Sequence, residues 1–252
     1  MFWSYQTLYL FSKNPISGLP SSNGAMLLFS QRTGEFIAIF LDEGRLTDLR
    51  TALAGAIAAK YLAPSEIIKI GIIGTGTQAK EQLFHLKQVT PCKNVLVWGR
   101  NMQKAKAFAS DPHFETFQVT AVENIEEITQ QCNLIITTTP STTPLLFGHQ
   151  IWPETHITAV GADDEGKQEL DHSVFDCADL IVVDSLYQCS CYGDLAHAKN
   201  VDLSSVIELG KLIQNPIKRQ PHWITVADLT GIAVEDLQVA KAIYQILDDK
   251  KN

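Results

Sequence analysis

Three short stretches of the chain carry residue types that could act together on a small charged molecule. The first, IKIGIIGTGTQAKEQL, sets Gly74, Gly76 and Ala79 in a G-x-G-x-x-A pattern between an apolar run and a helix-like one. Gly74 permits the tight turn, and Gly76 lets the backbone approach a pyrophosphate. Ala79 lets the helix pack on the strand while the helix N-terminus faces the anion. In that strand-to-helix setting the pattern predicts a dinucleotide site, with Thr77 and Gln78 among its contacts. The second stretch, NVLVWGRNMQKAKAF, ends its apolar run in Gly99, Arg100 and Asn101, where an NAD site would place an acid for the adenosine ribose. A guanidinium there suits a 2′-phosphate, and Lys104 lies one helical turn further on. NADP(H) is therefore the preferred cofactor, with NAD(H) as the alternative.

The third stretch, ITAVGADDEGKQELD, starts as a buried strand and breaks into charge after Gly161. Asp163 falls just past the carboxyl end of that strand, where open α/β sheets place their ligands. Asp164 and Glu165 read as solvated loop charges, and Lys167 and Glu169 as a structural ion pair of small net value at a surface. In NLIITTTPSTTPLL, Thr138, Thr139 and Ser141 at a strand end either line the cofactor or cap a following helix.

The elements that must hold these residues follow from periodicity. Trp3, Tyr5, Thr7, Tyr9 and Phe11 alternate as one face of a strand, and AMLLFS and EFIAIFL flank a glycine-bearing QRTG loop as a hairpin. From Thr47 the period becomes helical, with Leu49, Leu53, Ile57 and Tyr61 on one face and Thr47 or Asp48 as the cap. Then IIKIGIIG, NVLVWG, FQVTAV, NLIITTT, HITAVG and DLIVVD recur, separated mostly by helix-length segments. That βαβ rhythm predicts a Rossmann-like α/β fold, a mainly parallel sheet with helices on both faces, plus a small N-terminal antiparallel lobe. ITVADL leads into a last helix with Ala233, Leu237, Ala240, Ile243 and Leu247 on one face, which returns to the N-terminal sheet. The expected division is residues 1–64 with 225–252 as the smaller lobe, and 65–224 as the dinucleotide-binding domain.

Composition narrows the partners. Over 252 residues, 45% hydrophobic and 19% charged content is that of a globular protein rather than a disordered one. A net charge of -8 argues against a nucleic-acid surface, which needs clustered cations. Five cysteines without C-x-x-C spacing read as free thiols and give no metal site. The start is a poor signal peptide and no run is long enough to span a membrane, so the expected location is the cytoplasm.

The order LTDLRTALAG, GIIGTGTQA, TTTPSTTPLL, AVGADDEGKQELD and GIAVEDLQVAKAIY closely resembles the ornithine cyclodeaminase/mu-crystallin family. The helix with LT-x-x-RTA before the glycine turn and the VGAD loop with K-x-E-L-D after it are the specific parts. The resemblance implies an NAD(P)-binding lobe, and a lobe of N- and C-terminal segments that dimerises and completes the active site. It implies that Arg50 holds the substrate α-carboxylate and that Asp163 contacts the amino or imino nitrogen. On the residues alone, Arg50 offers a planar fork for a carboxylate, or a surface ion pair. Two departures stand out: the smaller lobe is shortened relative to the family, and Gln6 stands where a lysine commonly lies near substrate. An amide carries no charge and donates no proton as an ammonium does.

The resulting expectation is reduction of a small ketimine or cyclic imino acid by hydride transfer, or the reverse amino-acid oxidation, in a homodimer. The alternatives are NAD-dependent ornithine cyclodeaminase chemistry, L-ornithine to L-proline plus ammonia, and a non-catalytic NADP-binding protein.

Overall fold

The computed structural model describes residues 2–10 and 22–249. The strands are β1 (Phe2–Leu10), β2 (Ser22–Ser30), β3 (Phe36–Phe40), β4 (Ile70–Ile73), β5 (Asn94–Trp98), β6 (Gln118–Ala121), β7 (Leu134–Thr137), β8 (Thr142–Leu146), β9 (His156–Ala159), β10 (Gln168–Leu170), β11 (Leu180–Val183), β12 (Ile207–Glu208) and β13 (Thr225–Asp228). The helices are α1 (Arg45–Leu62), α2 (Thr77–Leu86), α3 (Met102–Ala109), α4 (Ile125–Gln131), α5 (His172–Asp176), α6 (Leu186–Tyr192), α7 (Leu209–Gln214) and α8 (Ala233–Asp249). They fall into two compact units, Met1–Thr51 with Ile232–Asn252, and Ala52–Gly231.

In the first unit, β1, β2 and β3 form an antiparallel sheet in that order. Alternation along β2 buries Met26 and Leu28, which pack with Val239 and Ala240 of α8 into one apolar cluster. The β2–β3 hairpin closes at Gly34, whose φ of 74° a side chain would strain. Gln6 pairs with Met26 in the β1–β2 register, and its side chain lies outside the described residues. Helix α1 starts at Arg45, ahead of the expected caps: the Asp42 carboxylate accepts the Leu46 amide at 2.7 Å and serves the first turn instead.

The second unit is built on an eight-stranded sheet of order β12-β11-β13-β9-β7-β4-β5-β6 in which every pairing is parallel. Its strands are apolar on both faces because both are covered. On one side Ile70 and Ile72 of β4 pack with Ala59 of α1, Leu83 of α2 and Phe108 of α3. On the other, Ile73, Ile135 and Ile157 pack with Ile128 of α4 and Phe175 of α5. Two sequence expectations need correction. The strand at 225–228 lies between β9 and β11, buried along its whole length, and so belongs to this sheet and not to the smaller lobe. The buried hydrophobic residues of α1 are Ala52, Ala54, Ala56, Ala58, Ala59 and Leu62, while Ile57 is 39% exposed. Small residues win there because α2 comes close: a Cβ on Gly55 would lie 2.1 Å from Gln82 Oε1.

A two-stranded parallel pair, β8 with β10, sits beside the large sheet's sequence path and carries the acidic loop's end. Among the described residues no helix is long and apolar enough to cross a membrane.

Candidate active site

The order in which strands are added reverses between β4 and β7, with β5 and β6 to one side and β9 to the other. A parallel sheet leaves a crevice outside its strand ends at such a point. A cleft of about 390 Å³ lies there. Gly74 forms its floor with φ 130°, donating its amide to Trp98 O at 2.9 Å. A Cβ on Gly74 would come within 2.3 Å of Thr138 Oγ1, so both the torsion and the close strand end demand glycine. Gly76 is the N-cap of α2, and a Cβ there would meet no protein atom within 4 Å. The entry to α2 is therefore uncrowded at Gly76, and no acid stands in its first turn. Ala79 is fully buried against the sheet. Thr77 is exposed and Gln78 half-buried; neither lines the cleft.

The cleft is lined from the end of β5 by Trp98, Gly99, Arg100, Asn101 and Lys104, and from the end of β7 onward by Thr138, Thr139, Ser141 and Leu145. Among the described lining residues there are two cations and no carboxylate. Asn101 also has a structural task, its side chain accepting the Lys104 amide at 3.1 Å to cap α3. After β7 the chain enters β8, not a helix, so the hydroxyls there cap no helix; Ser141 Oγ donates instead to Thr143 O at 2.6 Å.

Next to β7 lies β9, and its end leads into the acidic loop. Asp163 is exposed and forms an ion pair with Lys167. Asp164 and Glu165 are exposed as well. The expected partnership of Lys167 with Glu169 is absent, for Glu169 is completely buried. Its carboxyl group accepts Thr137 Oγ1 at 2.6 Å, the Thr139 amide at 2.5 Å and the Gly161 amide at 2.8 Å. Burial and then the Asp194 charge push its pKa up to about 7, against the pull of these donors. Asp194 is buried too, its Oδ1 accepting the Glu169 and Leu170 amides at 2.7 and 2.8 Å. Burial raises it to about 6 and pushes Asp228 well above the carboxylate range. Among the described residues no group of three or more His, Cys, Asp or Glu could hold a metal ion.

In the first unit, Arg50 is held by two acids from the first turn of α8, Nε to Asp236 Oδ1 and Nη1 to Glu235 Oε2, both at 3.0 Å. Burial raises the Asp236 pKa, and Arg50 opposes that shift.

Residues 5–251 match the sequence profile of the ornithine cyclodeaminase/mu-crystallin family. The chain belongs to that family. Ketimine reductase mu-crystallin of Rattus norvegicus is 32% identical over 231 residues, covering 90% of this chain and 71% of that protein. Among solved structures, an archaeal alanine dehydrogenase dimer with bound NAD superposes with a TM-score of 0.92 at 33% identity, over 100% of this chain and 79% of that one. Thermococcus litoralis Δ1-pyrroline-2-carboxylate reductase, in complex with NADH and L-proline, does so at 0.88 and 30%, over 96% and 77%.

For an ornithine cyclodeaminase/mu-crystallin family member the glycine turn is chemically apt. The open face at Gly76 and the acid-free N-terminus of α2 fit the pyrophosphate of a nicotinamide dinucleotide. The second unit brings together Gly74, Gly76, Arg100, Asn101, Thr138, Thr139 and Ser141 around one cleft, with the Asp163 loop leaving the adjacent strand. Arg50 and Gln6 belong to the first unit. Sequence reading missed the buried role of Glu169; the one local hint was a glycine, Gly161, at the end of an otherwise continuous strand.

Proposed function

We propose that this family member is an NAD(P)H-dependent reductase of a small ketimine or cyclic imino acid, running the reverse amino-acid oxidation when product is in excess. The observation that carries the reading is the adjacency of β7 and β9: one strand end lines the dinucleotide cleft and its neighbour delivers the Asp163 loop. When bound, the cofactor supplies the hydride. Asp163 pairs with the protonated imine nitrogen, stabilising the cation whose adjoining carbon is electrophilic and holding it for attack; hydride addition leaves a neutral amine that keeps its proton and takes one more from solvent to become the ammonium product. Lys167, the partner of Asp163 in this structure, yields its place to the substrate cation. Arg50 takes the substrate carboxylate in this reading and Gln6 contacts substrate, assignments that rest on the family resemblance.

NADP(H) is the favoured cofactor, because Arg100 and Lys104 line the cleft with no carboxylate among the described lining residues. A homodimer is favoured by the exposed apolar residues of the hairpin unit, Phe36, Ile39 and Leu41, and the free thiols suit a cytoplasmic setting.

The test is NADPH oxidation by the purified protein with a panel of pyrroline and piperideine carboxylates, and with pyruvate plus ammonium, for wild type, Asp163→Asn and Asp164→Asn. Turnover with at least one imine, lost at least ~100-fold in Asp163→Asn and little changed in Asp164→Asn, is expected of a carboxylate acting on the reacting nitrogen. Comparable losses at both positions would remove the special role of Asp163, and no turnover with any imine would remove the reductase reading.

A further inference from the structure

Three donors from two neighbouring strand ends converge on one fully buried side chain outside the cleft. Thr137 and Thr139 bracket the end of β7, and Gly161 follows β9; all three reach the Glu169 carboxyl group from β10. We propose that Glu169 is a positioning residue for the reaction: it ties the cofactor-lining loop at Thr138–Ser141 to the loop that carries Asp163. The proposal rests on the imine-reductase reading of the same site.

The geometry has little slack. A Cβ on Gly161 would lie 2.2 Å from Thr139 O and 2.6 Å from Glu169 Oε2, so the two strand ends approach as closely as they do only because residue 161 has no side chain. Glu169 is itself seated from behind, since its amide and that of Leu170 both donate to Asp194 Oδ1. The charged group acting on it is Asp194, which in turn feels His197 and raises Asp228. An apolar residue at 169 would leave the Thr139 and Gly161 amides without their acceptor. A carboxyl group is suited to the task because both its oxygens accept. An amide of the same shape has one accepting oxygen, and its NH₂ must face either the Thr139 or the Gly161 amide, donor against donor.

Glu169→Gln thus releases one of the two loops without changing side-chain volume. Three measurements on the full-length protein test this: kcat and KM for the imine, the cofactor Kd, and hydrogen exchange by mass spectrometry of the segments 137–141 and 159–166. Faster exchange in one of those segments and a ~10-fold or larger fall in kcat are expected, with cofactor Kd changed by less than ~3-fold, because misplacement of a reacting group costs rate before it costs binding. Gly161→Ala, which keeps Glu169 but forces the strand ends apart, is expected to repeat the kcat loss. Unchanged exchange in both segments overturns the proposal whether or not any imine is reduced. So does a wild-type kcat in either variant, or a loss of cofactor binding and thermal stability in step with kcat. A wild-type protein that reduces no imine but shows the Glu169→Gln exchange change retains the tie and defeats only the reductase reading.

Discussion

Replacing Arg100 by alanine tests the proposed preference for NADP(H) at one of the two cations lining the cleft. Arg100 lies two residues past the end of β5 and lines the cleft with Lys104, with no carboxylate among the described lining residues. A hydrogen bond between a charged donor and a phosphate is worth about 1.5–3 kcal/mol when shielded from water. Arg100 is exposed, so solvent screening brings the contribution down to about 1–2 kcal/mol. That range corresponds to a roughly 5- to 30-fold weaker Kd for NADPH. Lys104 remains in the variant, so preference should shrink and not invert. NADH lacks the 2′-phosphate and should change by less than ~2-fold. Isothermal titration of both cofactors into wild type and Arg100→Ala gives the four constants. Because the attraction is between solvent-exposed charges, the NADPH advantage should also narrow as ionic strength rises from ~0.05 to ~0.5 M and the Debye length contracts. Equal weakening of both cofactors would show Arg100 acting on the fold or on the shared adenosine, and a wild type that binds NADH more tightly would end the NADP assignment.

Two further predictions separate site from scaffold. At Gly76 φ is -84° and a Cβ would meet no protein atom within 4 Å, so Gly76→Ala should fold with unchanged melting temperature yet bind cofactor at least ~10-fold more weakly, the methyl occupying the space that a phosphate needs; normal cofactor titration would refute the cradle. His156 is wholly buried between Thr158 and Thr225, and burial pushes its pKa down to about 3 from 6.5. The unfolded chain then binds the proton that the native state refuses, so this group's stabilisation is full above pH 6.5 and is lost as pH falls toward 3. Glu169 slopes the other way, its raised pKa making its contribution fall as pH rises from about 4.5 through about 7. Subtracting the urea-denaturation curve of His156→Asn from that of wild type isolates the histidine, and a difference that stays constant between about pH 4 and pH 8 would contradict the assignment.

Much of the fold was legible because its information is local. Ile70–Ile73, Leu134–Thr137 and His156–Ala159 are short apolar runs between helix-length segments, and each became a strand of the parallel sheet. Thr225–Asp228 was equally legible as a strand, but nothing in four residues states which strands it will join; its place between β9 and β11 is a property of the whole sheet. Helix α1 misled for another reason. Hydropathy favours the large residues Leu53 and Ile57 as the inner face, whereas the close approach at Gly55 favours alanine. Its cap was misplaced because Asp42 lies beyond Gly44 and Glu43, whose positive φ values turn the chain before the helix begins.

The same division runs through the site. Gly74 could be read from sequence because the requirement is a single torsion that only glycine meets cheaply, and Arg100 because the end of β5 is a fixed distance along the chain from that turn. Glu169 could not. It lies among Asp, Lys and Gln in a run that reads as solvated, and two of its three donors come from residues 30 and 32 positions away. Only the assembled strand ends reveal that an acid has been taken out of water beside a second, Asp194, whose charge raises both Glu169 and a third buried acid, Asp228. Three carboxyl groups in such surroundings oppose one another's ionisation, and an apolar interior would be cheaper. The expense falls under the two loops that must be held still if hydride is to meet the imine carbon, and that placement argues for a role in reaction geometry, since local rules are broken at cost most often where position matters more than stability.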